Sequence, residues 1–166
     1  MNQTKHKQER DTLSARCTTF ALPLVYVGMS ADIIHHGHVN ILKEASKHGN
    51  VMVGLLTDEA IRSYKRAPII PYVNRKVVIE YLQNIYTVVP QNTLDYSENL
   101  LKYQPDYVVH GSDWKTGVQK RTRDKVLSVI QAWGGELIEP EYTKNISTTH
   151  IIQRCINKSD SCSSLI

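Results

Sequence analysis

Between residues 23 and 156, short apolar runs alternate with amphipathic stretches. Residues 24–27, 51–56, 87–89, 107–109 and 136–138 are the runs expected to form strands. The first two are apolar almost throughout, as in parallel strands covered on both faces. Residues 37–47 set Val39, Leu42 and Ala45 on one side of a helix, with Ile41 beside them. Asn74 reads as an N-cap opening a helix whose buried face is Val77, Val78, Tyr81 and Leu82. Residues 120–133 repeat the pattern through Val126, Val129, Ile130 and Trp133; Gly134 and Gly135 end that helix, and Pro140 ends the following strand. A last helix is expected over residues 148–156. Strands alternating with helices at this spacing predict a doubly wound α/β fold, one domain with about five parallel strands. Residues 1–22 and 157–166 are polar and unpatterned and read as flexible tails around the domain at 23–156.

Composition sharpens this picture only a little. The chain has 166 residues, 41% of them apolar, enough for the core of one domain. Half of the formal charge of +4 sits in the first twenty residues, where Lys5, Lys7, Arg10 and Arg16 outweigh Glu9 and Asp11. The body is therefore nearly neutral, which argues against a nucleic-acid partner. Cys17, Cys155 and Cys162 are odd in number and share no metal-ligand spacing, which fits a reducing compartment. No apolar run approaches the ~20 residues that span a bilayer. The first residues carry no apolar block behind their charges, so no membrane association and a cytoplasmic location are expected.

In doubly wound sheets, ligands bind beyond the carboxyl ends of the strands, where strand order reverses. The first strand ends near Gly28, Met29 and Ser30, and the next helix opens at His35-His36-Gly37-His38. A helix start offers unpaired N–H groups and partial positive charge to phosphate. His35 and His38, three apart, can project to one side there, and Gly37 lets a ligand approach the backbone. Two imidazoles so placed suit a phosphorus transition state whose oxygens gather charge. No G-x-G-x-x-G follows the strand, so the dinucleotide fingerprint is absent. A surface histidine cluster is the plain alternative; a zinc site would need a further ligand set.

His35-x-Gly37-His38 resembles the H-x-G-H signature of the cytidylyltransferase-like nucleotidyltransferases. Thr57-Asp58-Glu59 is similar to that family's T-D-E, Asn74-Arg75-Lys76 to its E-R-K, and Gly111-Ser112-Asp113-Trp114 to its G-D-D-W. Ile146-Ser147-Thr148-Thr149 resembles its I-S-T-T. The likeness runs over residues 24–153. Closer still is the branch acting on phosphonates, which the chain resembles at residues 28–35, 54–60, 108–111, 113–117 and 133–137. The glycerol-3-phosphate branch instead begins G-x-F-D and carries R-T-x-G-I-S-T, where this chain has Ala31 and Tyr142-Thr143-Lys144-Asn145-Ile146. Asn145 stands where the family has glycine, and asparagine tolerates positive φ best after glycine.

The resemblance implies a Rossmann-like fold, CTP as substrate, Mg²⁺ carried mainly by the phosphates, and a homodimer. It implies that His35, His38 and Lys65 are catalytic. Lys65 lies between Tyr64 and the prolines at 68 and 71, in a loop that can swing over the triphosphate, with Arg66 competing for the role. Nucleotide contacts are implied for Gly28, Met29, Ser30, Gly37, Arg75, His110, Gly111, Asp113, Tyr142, Ile146, Ser147 and Thr148. Arg75 reads equally as an ion-pair partner, and Ser147 to Thr149 as N-caps. Asp32 and Trp114 are the candidate substrate contacts; the one can also fix a turn, the other pack. The expected reaction joins CTP and a phosphonate, 2-aminoethylphosphonate or 2-hydroxyethylphosphonate, into a CMP-phosphonate with release of pyrophosphate. The alternatives are a phosphate-ester acceptor, glycerol-3-phosphate or phosphoethanolamine, and a catalytically silent nucleotide-binding module.

Overall fold

The computed structural model describes residues 22–162; the expected N-terminal tail lies outside that range except for Leu22. Five strands, β1 (Leu24–Met29), β2 (Asn50–Leu56), β3 (Ile85–Gln91), β4 (Tyr107–Val109) and β5 (Glu136–Ile138), form one all-parallel sheet ordered β3-β2-β1-β4-β5. The helices are α1 (His36–Ser46), α2 (Asp58–Arg62), α3 (Tyr72–Glu80), α4 (Ser97–Tyr103), α5 (Lys120–Ile130) and α6 (Thr148–Cys162). Short 3-10 turns occupy Ser112–Lys115, Gly117–Gln119 and Gln131–Trp133. The fold is the expected α/β Rossmann-like one. Strand order reverses between β1 and β4, so their carboxyl ends frame the crevice where such sheets bind ligands.

Period-two alternation divides the core. Val25, Val27 and Met29 of β1 pack with Leu42 and Ala45 of α1 and Ile79 of α3. Tyr26, on the opposite face, packs with Leu100 of α4 and with Val126 and Ile130 of α5.

Two expectations about α3 fail. The helix begins after Pro71, which makes no side-chain cap; Asn74 is its third residue. Val77, Val78 and Tyr81 are exposed, Tyr81 at 88%, while the buried positions are Arg75 and Ile79. The periodicity misleads because an arginine holds an inward position. Arg75 is buried and makes four hydrogen bonds: it donates to the carbonyls of Ile70 (2.9 Å), Ser30 (2.5 Å) and Leu56 (2.9 Å) and to Asp58 Oδ1 (2.6 Å). One guanidinium thereby ties together the carboxyl ends of β1 and β2 and the loop before α3.

The last helix also runs past Ile156 to Cys162, because residues 157–162 hold no proline or glycine to interrupt the ladder. Helices α2 and α4 were not anticipated; at 5 and 7 residues they are too short to show a helical period.

Candidate active site

Beyond the ends of β1 and β4 lies a cavity of about 240 Å³. His35 sits in extended backbone (φ −144°, ψ 170°) as the N-cap of α1, and its Nδ1 accepts the Gly37 N–H at 3.2 Å. His38 reciprocates: its Nδ1 accepts the His35 N–H at 3.3 Å. This is a capping box built from two imidazoles. It fixes their chemistry as well as the helix, because a neutral imidazole that accepts at Nδ1 carries its proton on Nε2. Both rings line the cavity, 4.0 Å apart between centroids, with Nε2–H left as the donor of each. A Cβ at Gly37 would fall 3.0 Å from the His35 ring, so glycine is what lets that ring fold over the helix start.

Burial keeps this pair neutral. Desolvation, then the neighbouring His36, holds His35 below the ordinary imidazole range. Desolvation, then His35 and Lys65, lowers His38 to about 4. Lys65 completes this wall, donating to Ser30 Oγ at 3.0 Å with its ammonium 5.0 Å over the Tyr64 ring.

Arg66 does not compete with Lys65 for the cavity. It pairs with Asp32 at 2.8 Å, and the Asp32 carboxylate also accepts the N–H groups of Ile69 (2.8 Å) and Ile70 (2.9 Å). Burial raises Asp32, but the Ile70 N–H, the Arg66 guanidinium and the Ile69 N–H outweigh it and hold the carboxyl below its usual range. Asp32 thus anchors the loop that carries Lys65 and does not line the cavity. Ala31, just before it, is buried with φ +48°, a left-handed conformation that costs roughly 1–2 kcal/mol.

The opposite wall follows β4. His110 stacks on Trp114 at 3.9 Å and 9° between planes. Its Nδ1 lies 2.9 Å from the Gly111 carbonyl, which can only accept, so Nδ1 carries the proton and Nε2 is a bare acceptor. Burial depresses the His110 pKa against the opposing pull of the Gly111 carbonyl, Asp113 and Glu139. Trp114 is fully buried behind that ring and donates to Glu139 Oε1 at 2.7 Å. Arg123 grips the same carboxylate in a fork, 2.7 and 2.9 Å, and lowers Glu139 to about 2.

The third wall is the approach to α6. The Tyr142 hydroxyl donates to the Ile146 carbonyl at 3.2 Å and its backbone N–H donates to Ser112 Oγ at 3.2 Å, closing a turn in which Asn145 adopts φ +63°. The asparagine expected to replace a left-handed glycine does so. Ser147 Oγ accepts the His150 N–H at 3.1 Å and caps α6.

Of the anticipated residues, Gly28, Met29, Ser30, Gly37, Gly111, Asp113, Tyr142, Ser147 and Thr148 line the cavity with His35, His38, Lys65 and His110; Asp32, Arg75, Trp114 and Ile146 do not. Tyr64, Leu94, Tyr96 and Gln119 also line it, without any sign in the sequence pattern. They occupy loops beyond the carboxyl ends of β2, β3 and β4, and that position alone could have marked them. Among the described residues no group of three His, Cys, Asp or Glu side chains could hold a metal ion, and Asp113 is the one carboxylate lining the cavity. No described helix is long and apolar enough to cross a membrane.

Comparison with known proteins agrees with this geometry. The cytidylyltransferase-like family model matches residues 26–154. Ethanolamine-phosphate cytidylyltransferase of Mus musculus is 33% identical over 130 residues, covering 75% of this chain and 30% of that protein. The bifunctional protein HldE of Alcanivorax borkumensis is 33% identical over 141 residues, covering 81% of this chain and 28% of that one. The chain thus spans less than a third of the length of these relatives. Among solved structures, the lipopolysaccharide core biosynthesis protein of Thermoplasma volcanium superposes with a TM-score of 0.61 at 23% identity, over 75% of this chain and 98% of that one. Matched by that family model from β1 into α6, the chain belongs to the cytidylyltransferase-like family.

Proposed function

We propose that the chain is a CTP-dependent cytidylyltransferase acting on a small phosphorus acid. The observation that carries this reading is the imidazole capping box, which aims two Nε2–H donors into the switch-point cavity beside Lys65. An oxygen of the acceptor attacks the α-phosphorus in line; the new P–O bond forms as the bond to the β-phosphate oxygen breaks, and pyrophosphate leaves with that electron pair. The acceptor oxygen is already anionic at neutral pH, so no general base is required. The protein's work is alignment and charge stabilisation. His35 and His38 donate to oxygens of the α-phosphate and the leaving group, and Lys65 bridges the triphosphate as a point charge. Ser147 and Thr148 meet the outer phosphates at the start of α6. Asp113 is the one carboxylate in the lining, so a Mg²⁺ ion would be held mainly by the triphosphate and would supply charge neutralisation there.

Two acceptor readings differ in what supports them. Likeness to ethanolamine-phosphate cytidylyltransferases, of Mus musculus and also of Arabidopsis thaliana at 30% identity over 95 residues, favours phosphoethanolamine. The motif resemblance favours 2-aminoethylphosphonate or 2-hydroxyethylphosphonate. The comparisons give the phosphate ester the stronger support. Pyrophosphate release from each of CTP, ATP, GTP and UTP, offered phosphoethanolamine, the two phosphonates and glycerol-3-phosphate in turn, decides both base and acceptor. Release with CTP and phosphoethanolamine supports the first reading. Release with a phosphonate alone supports the second.

The homodimer is part of the same proposal, and the exposed face of α3 supports it. Val73, Val77 and Tyr81 recur every fourth residue there, and Tyr86 of the edge strand β3 is exposed as well. The adjacent row holds Lys76 and Glu80, which pair with each other along the helix and leave the apolar row beside them uncharged. Sedimentation should show a dimer that Tyr81→Glu weakens; a wild-type monomer at high concentration contradicts the pairing.

A further inference from the structure

Two tyrosines meet edge to face beneath the carboxyl end of β1, with ring centroids 5.8 Å apart. Tyr26 has a saturated hydroxyl. It donates to Gln91 Oε1 and accepts from Asn99 Nδ2 at 2.9 Å, and Gln91 in turn donates to the carbonyls of Thr93 (2.8 Å) and Asp95 (2.9 Å). Tyr96 is just as buried, at 3% exposure, yet its hydroxyl has no hydrogen-bond partner among the described residues.

The position of that hydroxyl is well defined. The Tyr96 ring is wedged between Tyr26 and Trp114, the latter 6.1 Å away between centroids. A Cβ on Gly28 would fall 2.3 Å from both its Cζ and its oxygen, so the phenol end lies directly against the Gly28 backbone. There it reaches the cavity, in company with Leu56, Tyr64 and Leu94. The ring is buried, but the hydroxyl oxygen is open to this cavity, where a ligand can supply the partner that the described residues do not. Burial also raises the Tyr96 pKa well above that of an ordinary phenol, so the group keeps its proton and can both donate and accept.

Lys65 bounds the same corner, bonded to Ser30 Oγ and lying over the Tyr64 ring. The corner therefore combines a cation for phosphoryl oxygens, an apolar and aromatic lining for a short carbon tail, and one unpaired hydroxyl. We propose that Tyr96 is a specificity-determining residue whose hydroxyl reads the terminal hydrogen-bonding group, amine or hydroxyl, of the phosphorus-acid acceptor. The inference rests on the transferase reading for the identity of the acceptor. It assigns this corner to acceptors with a polar tail and against simple alkyl ones.

The test uses matched pairs that share a head group and differ in the tail: phosphoethanolamine against ethyl phosphate, and 2-hydroxyethylphosphonate against ethylphosphonate. Each is titrated calorimetrically into the full chain and into Tyr96→Phe, with Mg²⁺ and α,β-methylene-CTP present so that no transfer occurs. In the wild type, the polar member of one pair should bind about tenfold more tightly than its alkyl partner, and that pair names the tail. In Tyr96→Phe the preference should vanish because the polar ligand weakens while the alkyl ligand holds within about twofold. Equal weakening of both members would overturn the proposal by making Tyr96 a packing residue. A wild type without preference in either pair would overturn it without recourse to any variant. Pyrophosphate release is read separately, so a chain that shows the preference yet transfers nothing would sink the transferase reading and retain this one.

Discussion

Two turns line one cavity, and each sets partly buried imidazole beside a glycine (His35 and His38 around Gly37, His110 before Gly111), yet they present opposite chemistry. At the start of α1, backbone N–H groups point at Nδ1 of His35 and His38, forcing both protons to Nε2. After β4, a backbone carbonyl faces Nδ1 of His110, drawing the proton there and leaving Nε2 bare. The residue type is the same and the surrounding main chain decides whether it donates or accepts. The supports differ too. The first pair is held by the helix it caps, whereas His110 rests on Trp114, which hangs on Glu139 and Arg123 from elsewhere in the chain.

Breaking the donor wall should have the largest effect. His38→Ala is expected to lower kcat by about 10²–10³-fold, the scale of losing one transition-state donor, and steady-state kinetics would show it. His35→Asn sharpens the point, because asparagine is a good N-cap but has no Nε2–H. It should lose about 10–10²-fold in kcat while its Tm stays within about 2 °C of wild type. Equal losses of activity and stability would mean that His35 only caps.

Loosening the acceptor wall should matter less, since it acts at one remove. Glu139→Gln keeps the shape but weakens the fork to Arg123 and the bond from Trp114. We expect kcat/KM to fall by about tenfold or less, with a loss of roughly 1–3 kcal/mol in urea unfolding. A loss as large as that of His38→Ala would erase the distinction between the walls.

The donor wall also carries a pH dependence of stability, without any substitution. His38 has its folded pKa lowered to about 4, so below the ordinary imidazole value the unfolded chain takes up a proton that the folded chain refuses. Stability is then flat above about pH 7, falls as pH drops from about 6.5 toward 4, and stops falling from this cause below that. A shift of this size corresponds to roughly 3 kcal/mol. Unfolding curves of the wild type should show the slope, and those of His38→Gln a shallower one, the remainder coming from His35 and His110.

How much of this could be read from the sequence follows the same physics. All five strands and the switch-point location were legible, because buried parallel strands are apolar runs and their ends are fixed by topology. The α1 and α6 starts were legible through His35, Gly37, His38 and Ser147, since helix starts carry local signals. Asn145 was legible because few side chains tolerate its backbone. The face of α3 was not, because a buried, hydrogen-bonded arginine looks polar to any periodicity. Nor were Tyr96 and the Arg123–Glu139 fork, which depend on residues brought together from separate loops and elements.

The central claim, transfer of a cytidylyl group from CTP, is tested most directly by following phosphorus NMR of the full chain with CTP, Mg²⁺ and phosphoethanolamine or either phosphonate. The account predicts a new pair of coupled resonances from a cytidylyl anhydride, growing in step with pyrophosphate and about 10²–10³-fold more slowly in His38→Ala. An unchanged CTP spectrum with every acceptor, from protein that demonstrably binds CTP, would contradict it.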